Sequence, residues 1–341
     1  MTRALPSPLA VLAVVALALA APARAHADAT FAVDPQGASA AGGYYVFDSG
    51  PATTVKGRVR IANLGDRTGV ARLDTVDAAT GATTGAVYRS RDDQRWDVGA
   101  WTTLARSSVR LAPNRSAFVD FTVRVPAGAS AGDHLGGIVV EDAVLHSGGQ
   151  SRSGRGRFTI KVRSQTIVAV QVRVPGARRP RLALSGLTPG GADGRQALLL
   201  GVRNDGNVLV KGRGRLAVSN ADGDLVQDVR FPIDTFVAHT GIQLPVRVAG
   251  EALPAGRYHA VAELRYVGLT TRREFDFSIS DRQLAHVFRS HPDLLAPQRP
   301  VLPYVLGGAA LVLAGFTFAA AIFRRPRRRS TARAAESRSG A

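Results

Sequence analysis

Three aromatic residues lie close together in the first half of the chain: Tyr88, Trp96 and Trp101, the last two being its only tryptophans. Flat aromatic faces bind sugar rings and stem peptides when polar groups flank them. Asp92, Asp93, Gln94, Arg95 and Asp97 supply such flanks. The competing reading makes one tryptophan a core anchor and the rest a long hairpin. A second group is basic: Arg152, Arg155 and Arg157, continued by Lys161 and Arg163. On a strand, residues 157, 161 and 163 share a face and could hold phosphate or carboxylate groups of a wall polymer. A solvated hairpin explains the same run.

Asp133-His134, with Glu141 and Asp142 beyond, invites a catalytic or metal reading. Gly132, Gly136 and Gly137 argue instead for a tight turn into a buried strand, and no second histidine has ligand spacing. Cleavage after Ala25 would expose His26 as an N-terminal residue able to hold copper with its own amine, a third and minor reading. Cysteine is absent, which excludes thiol nucleophiles, redox pairs and cysteine metal sites. No Gly-rich phosphate loop, G-x-S-x-G elbow or H-E-x-x-H is present. The expectation is a non-enzyme without cofactor or metal.

The elements that must carry these residues are short alternating strands, rich in valine and punctuated by Gly, Asn, Asp and Pro. Strand candidates are 55–63, 117–125, two within 158–174, 197–204, 214–219, 243–248, 258–266 and 273–279. Residues 281–295 could form a short helix. The halves echo each other. Val59-Arg-Ile-Ala-Asn63-Leu-Gly65 aligns with Leu200-Gly-Val-Arg-Asn204-Asp-Gly206. Asp77-Ala-Ala-Thr-Gly81 aligns, as a hairpin turn, with Asn220-Ala-Asp-Gly-Asp224, and the proline-led turns at Pro126 and Pro254 correspond. That order suits an immunoglobulin-like sandwich. The first half holds an insertion near residues 86–107, which carries the tryptophans.

The ends give the topology. Arg3, an apolar core from Leu9 to Ala21 and Ala23-Arg24-Ala25 form an export signal. Val301 to Phe323 is free of charge and long enough to span a bilayer. Arg324, Arg325, Arg327, Arg328 and Arg329 follow, placing that flank in the cytoplasm. The net charge is +18, of which the two terminal segments hold +8. Export and this distribution argue against nucleic acid as a partner. The expected architecture is all-β: two tandem immunoglobulin-like sandwiches with a signal peptide and one C-terminal transmembrane helix. Its segments are 1–25 signal, 26–176 first domain, 177–280 second domain, 281–300 juxtamembrane stalk, 301–323 span and 324–341 basic tail. The cell membrane is the expected location, with both domains outside.

Along 31–176 the chain resembles the peptidoglycan-binding domain of the WxL-interacting protein family. The resemblance rests on Phe31-Ala-Val-Asp-Pro35, Tyr44-Tyr-Val-Phe-Asp48, the Val59–Gly65 segment, Gly85-Ala-Val-Tyr88, Gly132-Asp-His-Leu-Gly-Gly-Ile-Val139 and Val172-Arg-Val-Pro-Gly176. The second half is loosely similar to that family's partner-binding domain. The resemblance implies a wall-associated surface protein that binds peptidoglycan or another anionic wall polymer through its first domain. It also implies a WxL-type or other exported protein as a possible partner, bound through the second domain.

Overall fold

The computed structural model describes residues 29–144, 146–153, 156–162 and 164–290. The export signal, His26, the 301–323 span, the 324–341 tail, Arg155 and Arg163 lie outside the described residues. Among the described residues no helix is long and apolar enough to cross a membrane.

Alternating apolar positions drive the first sandwich. In β4 (Thr54–Asn63) and β9 (Ser116–Arg124), Val59 lies opposite Val119 and Val55 opposite Val123. With β1 (Phe31–Gln36) and β7 (Thr102–Leu104) they form a sheet in the order β1-β4-β9-β7. The facing sheet contains β2 (Ala40–Ala41), β3 (Tyr44–Asp48), β5 (Gly69–Thr80), β6 (Ala86–Tyr88), β10 (Gly132–Asp142) and β13 (Gln165–Val174). Its order is β2-β3-β13-β10-β5-β6, and β8 (Ser108–Leu111) also pairs with β5. Only β3 and β13 run parallel within it. Val59, Ile61, Leu73, Phe121, Ile138 and Val170 fill the space between the sheets. A fully buried side chain of this kind is worth about 2 kcal/mol. The strands β11 (His146–Ser153) and β12 (Gly156–Val162) form a separate two-stranded ribbon.

The second sandwich opposes a three-stranded sheet to a four-stranded one. The first comprises β14 (Leu182–Ala192), β15 (Arg195–Asn204) and β18 (Gly241–Arg247). The second runs β17 (Leu225–Phe236), β16 (Val210–Ser219), β19 (Gly256–Tyr266) and β20 (Leu269–Ile279). Two short helices complete the described fold, α1 (Val98–Trp101) and α2 (Asp281–Val287). Ser280 and Gln283 form a capping box at the start of α2. Leu284, Val287 and Phe288 then sink into the second core, beside Leu198 and Phe236. Residues 281–290 therefore belong to the second sandwich, not to a stalk; the periodic spacing of the three apolar side chains gives that segment a face to bury.

The echo between the halves is structural. Asn63 and Asn204 are fully buried at the ends of β4 and β15. Asn63 donates to the carbonyls of Arg67 and Leu111 at 2.7 and 3.1 Å and accepts from Gly65 N–H at 3.0 Å. Asn204 donates to those of Val208 and Phe236 at 2.8 and 3.1 Å and accepts from Gly206 N–H at 3.0 Å. One amide thus locks the same corner twice, satisfying main-chain groups that no strand partner reaches. The other aligned turn differs. Asp77 lies inside β5, and the turn itself begins at Gly81, where Gly81 N–H meets the Gly85 carbonyl at 2.8 Å.

Candidate functional site

Asp77 organises the insertion. Its carboxylate is 1% exposed and points inward from β5. It accepts the backbone N–H groups of Trp96, Asp97 and Gly99 at 2.7, 3.1 and 2.7 Å. Its carbonyl accepts Arg89 N–H at 2.9 Å. One residue therefore holds both ends of the 89–99 loop. Arg91 and Arg95 pin the middle. Arg91 pairs with the buried Glu141 at 3.0 Å, and Arg95 donates to Thr75 Oγ1 at 2.7 Å.

The three aromatics part company on this frame. Trp101 ends α1 and is only 9% exposed, in the core with Val98. Tyr88 is half-buried on the opposite face of the sheet, and burial pushes its pKa up to about 12. Trp96 is 58% exposed and carries the Arg89 guanidinium over its ring, 4.5 Å from the centroid. A shared aromatic surface is therefore not formed: Trp96 alone faces solvent, while the other two act as packing groups. The Gly136-Gly137 pair makes this possible. A Cβ on Gly136 would lie 2.7 Å from the Val76 carbonyl oxygen and 2.9 Å from Gly99 N, beneath α1. One on Gly137 would meet the Tyr88 ring at 2.9 Å, on the other face.

Asp133 and His134 are not a catalytic pair, because adjacent strand residues point to opposite faces. His134 packs on Trp101, ring centroids 4.6 Å apart. Its Nδ1 meets Asp97 Oδ1 at 2.8 Å and its Nε2 meets the Ser130 carbonyl at 2.9 Å. Both nitrogens face acceptors, so the doubly protonated ring satisfies both. Burial favours the neutral form, but the hydrogen bond and charge of Asp97, the Ser130 carbonyl and Asp133 outweigh it and raise the pKa. A raised folded-state pKa stabilises the fold below the unfolded value, about 6.5, and that contribution is lost as pH rises through the folded value. The urea midpoint should therefore fall between about pH 6 and about pH 9. The fall should be smaller in His134→Gln, and equal falls in the two proteins would rule out His134 as its source.

Asp133 instead joins the two sandwiches. Its carboxylate accepts two N–H groups of Arg178 at 3.2 and 2.8 Å and Leu209 N–H at 2.9 Å. Its own N–H donates to the Asn207 carbonyl at 2.8 Å. The Asn207 amide donates to the carbonyls of Ala131 and Ala177 at 2.7 and 2.8 Å. Ala78, Leu135 and Val237, with Tyr88 and Leu209 against them, form a small apolar contact alongside. Thr80 adds a hydroxyl contact with Thr240 at 2.6 Å. Sequence reasoning missed both Asp77 and Asp133 as organising residues. Neither carried a local signal: Asp77 reads as a turn residue, and Asp133 stands between Gly132 and His134.

Glu141 also accepts from Gln165 Nε2 at 3.0 Å, so with Arg91 its carboxylate is engaged in packing. Among the described residues no group of three or more His, Asp or Glu could hold a metal. In the ribbon, Arg152 and Arg157 are direct cross-strand partners, and Ser147 faces Lys161. This register brings two of the basic candidates together on the backbone.

No family model matches the chain, and no curated protein matches it. Solved structures similar to it include the class 5 fimbriae chaperone CfaA, 12% identical, covering 74% of this chain and 99% of that one with a TM-score of 0.33. The YadV chaperone is 12% identical, covering 72% of this chain and 99% of that one with a TM-score of 0.33. The E. coli chaperone DraB is 13% identical, covering 74% and 99% with a TM-score of 0.30. Superpositions this loose carry no assignment of function.

Proposed function

We propose that this protein is a non-enzymatic, exported scaffold that binds another exported protein, and that Trp96 with Arg89 is the centre of the contact. The observation behind this is the presentation of Trp96: a largely exposed indole on a residue whose backbone N–H is held by a buried carboxylate 2.7 Å away. Tryptophan and arginine dominate binding hot spots, and a side chain fixed before binding loses little entropy on contact. Arg89 occupies one face of the indole, leaving the edge and the other face for a partner. The apolar segment 301–323 would hold this scaffold at the membrane, with the two sandwiches outside.

A second reading assigns the same indole to peptidoglycan. The resemblance to the WxL-interacting family favours it, since a sugar ring can stack on the open face. Both readings are tested by a photo-crosslinking residue at position 96, in the cells that make the protein. The first expects one dominant adduct with an exported protein, missing when the crosslinker sits at the exposed Arg110. An adduct removed by a muramidase moves the assignment to peptidoglycan. Equal labelling at both positions, or none, removes both readings. Once the partner is known, Trp96→Ala should weaken binding about 30-fold, the loss of about 2 kcal/mol expected at a hot spot.

A further inference from the structure

We propose that the outward face of β16, β17 and β19 in the second sandwich is a binding site for a phosphate-bearing polymer. Strand register builds this face from residues far apart in the chain. Arg213 lies opposite Pro232 on β17 and Arg265 on β19; Arg215 lies opposite Arg230 and Glu263. The four arginines line one open groove of about 580 Å³, with Glu263 as its single acid and Phe231 and Pro232 along one wall.

Two of the arginines are already engaged. Arg215 grips Asp228 with two hydrogen bonds, at 2.7 and 2.9 Å, and Arg265 pairs with Glu263. Among the described residues Arg213 and Arg230 make no salt-bridge contact, and Arg230 lies only within electrostatic reach of Asp228, whose pKa it helps to lower. Arg230 moreover lies directly opposite Arg215, and like charges in that relation destabilise a sheet. Asp228 offsets part of that repulsion, and an anion in the groove relieves the rest and supplies acceptors for the guanidinium groups of Arg213 and Arg230.

The geometry points to phosphate within the class of anions. A carboxylate has two oxygens in one plane and fits one guanidinium fork. A phosphate presents oxygens in several directions and can serve forks arriving from different strands. Arg213 and Arg230 stand diagonally on neighbouring strands, with Cα atoms about 7 Å apart. The groove is open, so it admits a chain passing through it, and a polymer that repeats its phosphates offers each fork one in turn. This site shares no residue with the Trp96 contact, so the two readings stand or fall separately.

The test is titration calorimetry of the full chain in neutral detergent, with long-chain inorganic polyphosphate as the probe. Arg213→Gln with Arg230→Gln should weaken binding at least about 10-fold, the loss expected for charge-assisted hydrogen bonds. Arg110→Gln with Arg124→Gln removes the same charge from exposed positions of the first sandwich and should change binding less than about 2-fold. All four side chains are exposed, so both double variants should fold, which a thermal melt verifies. Equal weakening in the two variants would mean that only net charge matters, and the site would be withdrawn. Poly-L-glutamate binding as tightly as polyphosphate would overturn the phosphate assignment. Binding to phosphatidylglycerol vesicles without binding to polyphosphate would overturn the polymer assignment in favour of a lipid headgroup. Full binding by Arg213→Lys with Arg230→Lys would overturn the role given to the guanidinium forks.

Discussion

Asp77→Ala should destabilise the protein by about 4 kcal/mol, because it strands three buried backbone donors at once. Each unsatisfied buried N–H costs about 1–3 kcal/mol, and partial hydration of the loosened loop returns some of the sum. The loss should appear as a lower urea midpoint. It should also appear as new trypsin cleavage at Arg89, Arg91 or Arg95, bonds that the native clamp keeps out of reach. Asp77→Asn should be nearly as damaging, since its amide turns donors toward donors. A midpoint shift worth less than about 1 kcal/mol, with the loop still resistant to trypsin, would show that the clamp is not what orders Trp96.

A second large effect is expected at the junction. Asp133→Ala leaves Arg178 and Leu209 N–H without their shared acceptor and should cost about 3 kcal/mol. Because the acceptor spans two sandwiches, the damage falls on their coupling more than on either core. Calorimetry should therefore resolve two transitions in the variant where the native protein shows more cooperative unfolding. Asn207→Ala acts on the same junction, so the two substitutions together should cost clearly less than the sum of their separate effects. Additive effects, or a single unshifted transition in Asp133→Ala, would show that the sandwiches are coupled by something else.

How much of this was visible in the residues depends on the range of each interaction. The asparagine corners were legible because their chemistry is local. Asn63 reaches Gly65 and Arg67, Asn204 reaches Gly206 and Val208, and the spacing repeats in the sequence. The alternating strands were legible for the same reason, as was the helical start at residue 281. The opposite fates of Trp96 and Trp101 were not. They are set by a carboxylate about twenty positions earlier, and a solvated aspartate and a buried one look the same as letters. Asp77 read as a turn residue because aspartate favours turns; its burial follows only from its place on the inward face of β5. Asp133 meets partners at 178, 207 and 209, beyond any local pattern. The arginines at 213, 215, 230 and 265 each resemble an ordinary surface charge until three strands come into register. The stalk reading does not hold for residues 281–290, because Leu284, Val287 and Phe288 bury against the sandwich before them, a contact between segments that the local spacing does not reveal; residues 291–300 lie outside the described residues.

The strand order of the first sandwich also bears on when it can form. In β2-β3-β13-β10-β5-β6, the strand made last in the chain lies between the earliest pair and the rest. Until residues 165–174 are available, β2 and β3 have no neighbour in their sheet, and β10 has one bare edge. A chain that leaves a narrow pore from its N-terminus onward therefore cannot complete this domain piece by piece. Its sheet closes in one late event, by insertion of a central strand between two waiting edges. The junction, which needs Asn207, Leu209 and Val237, comes later still.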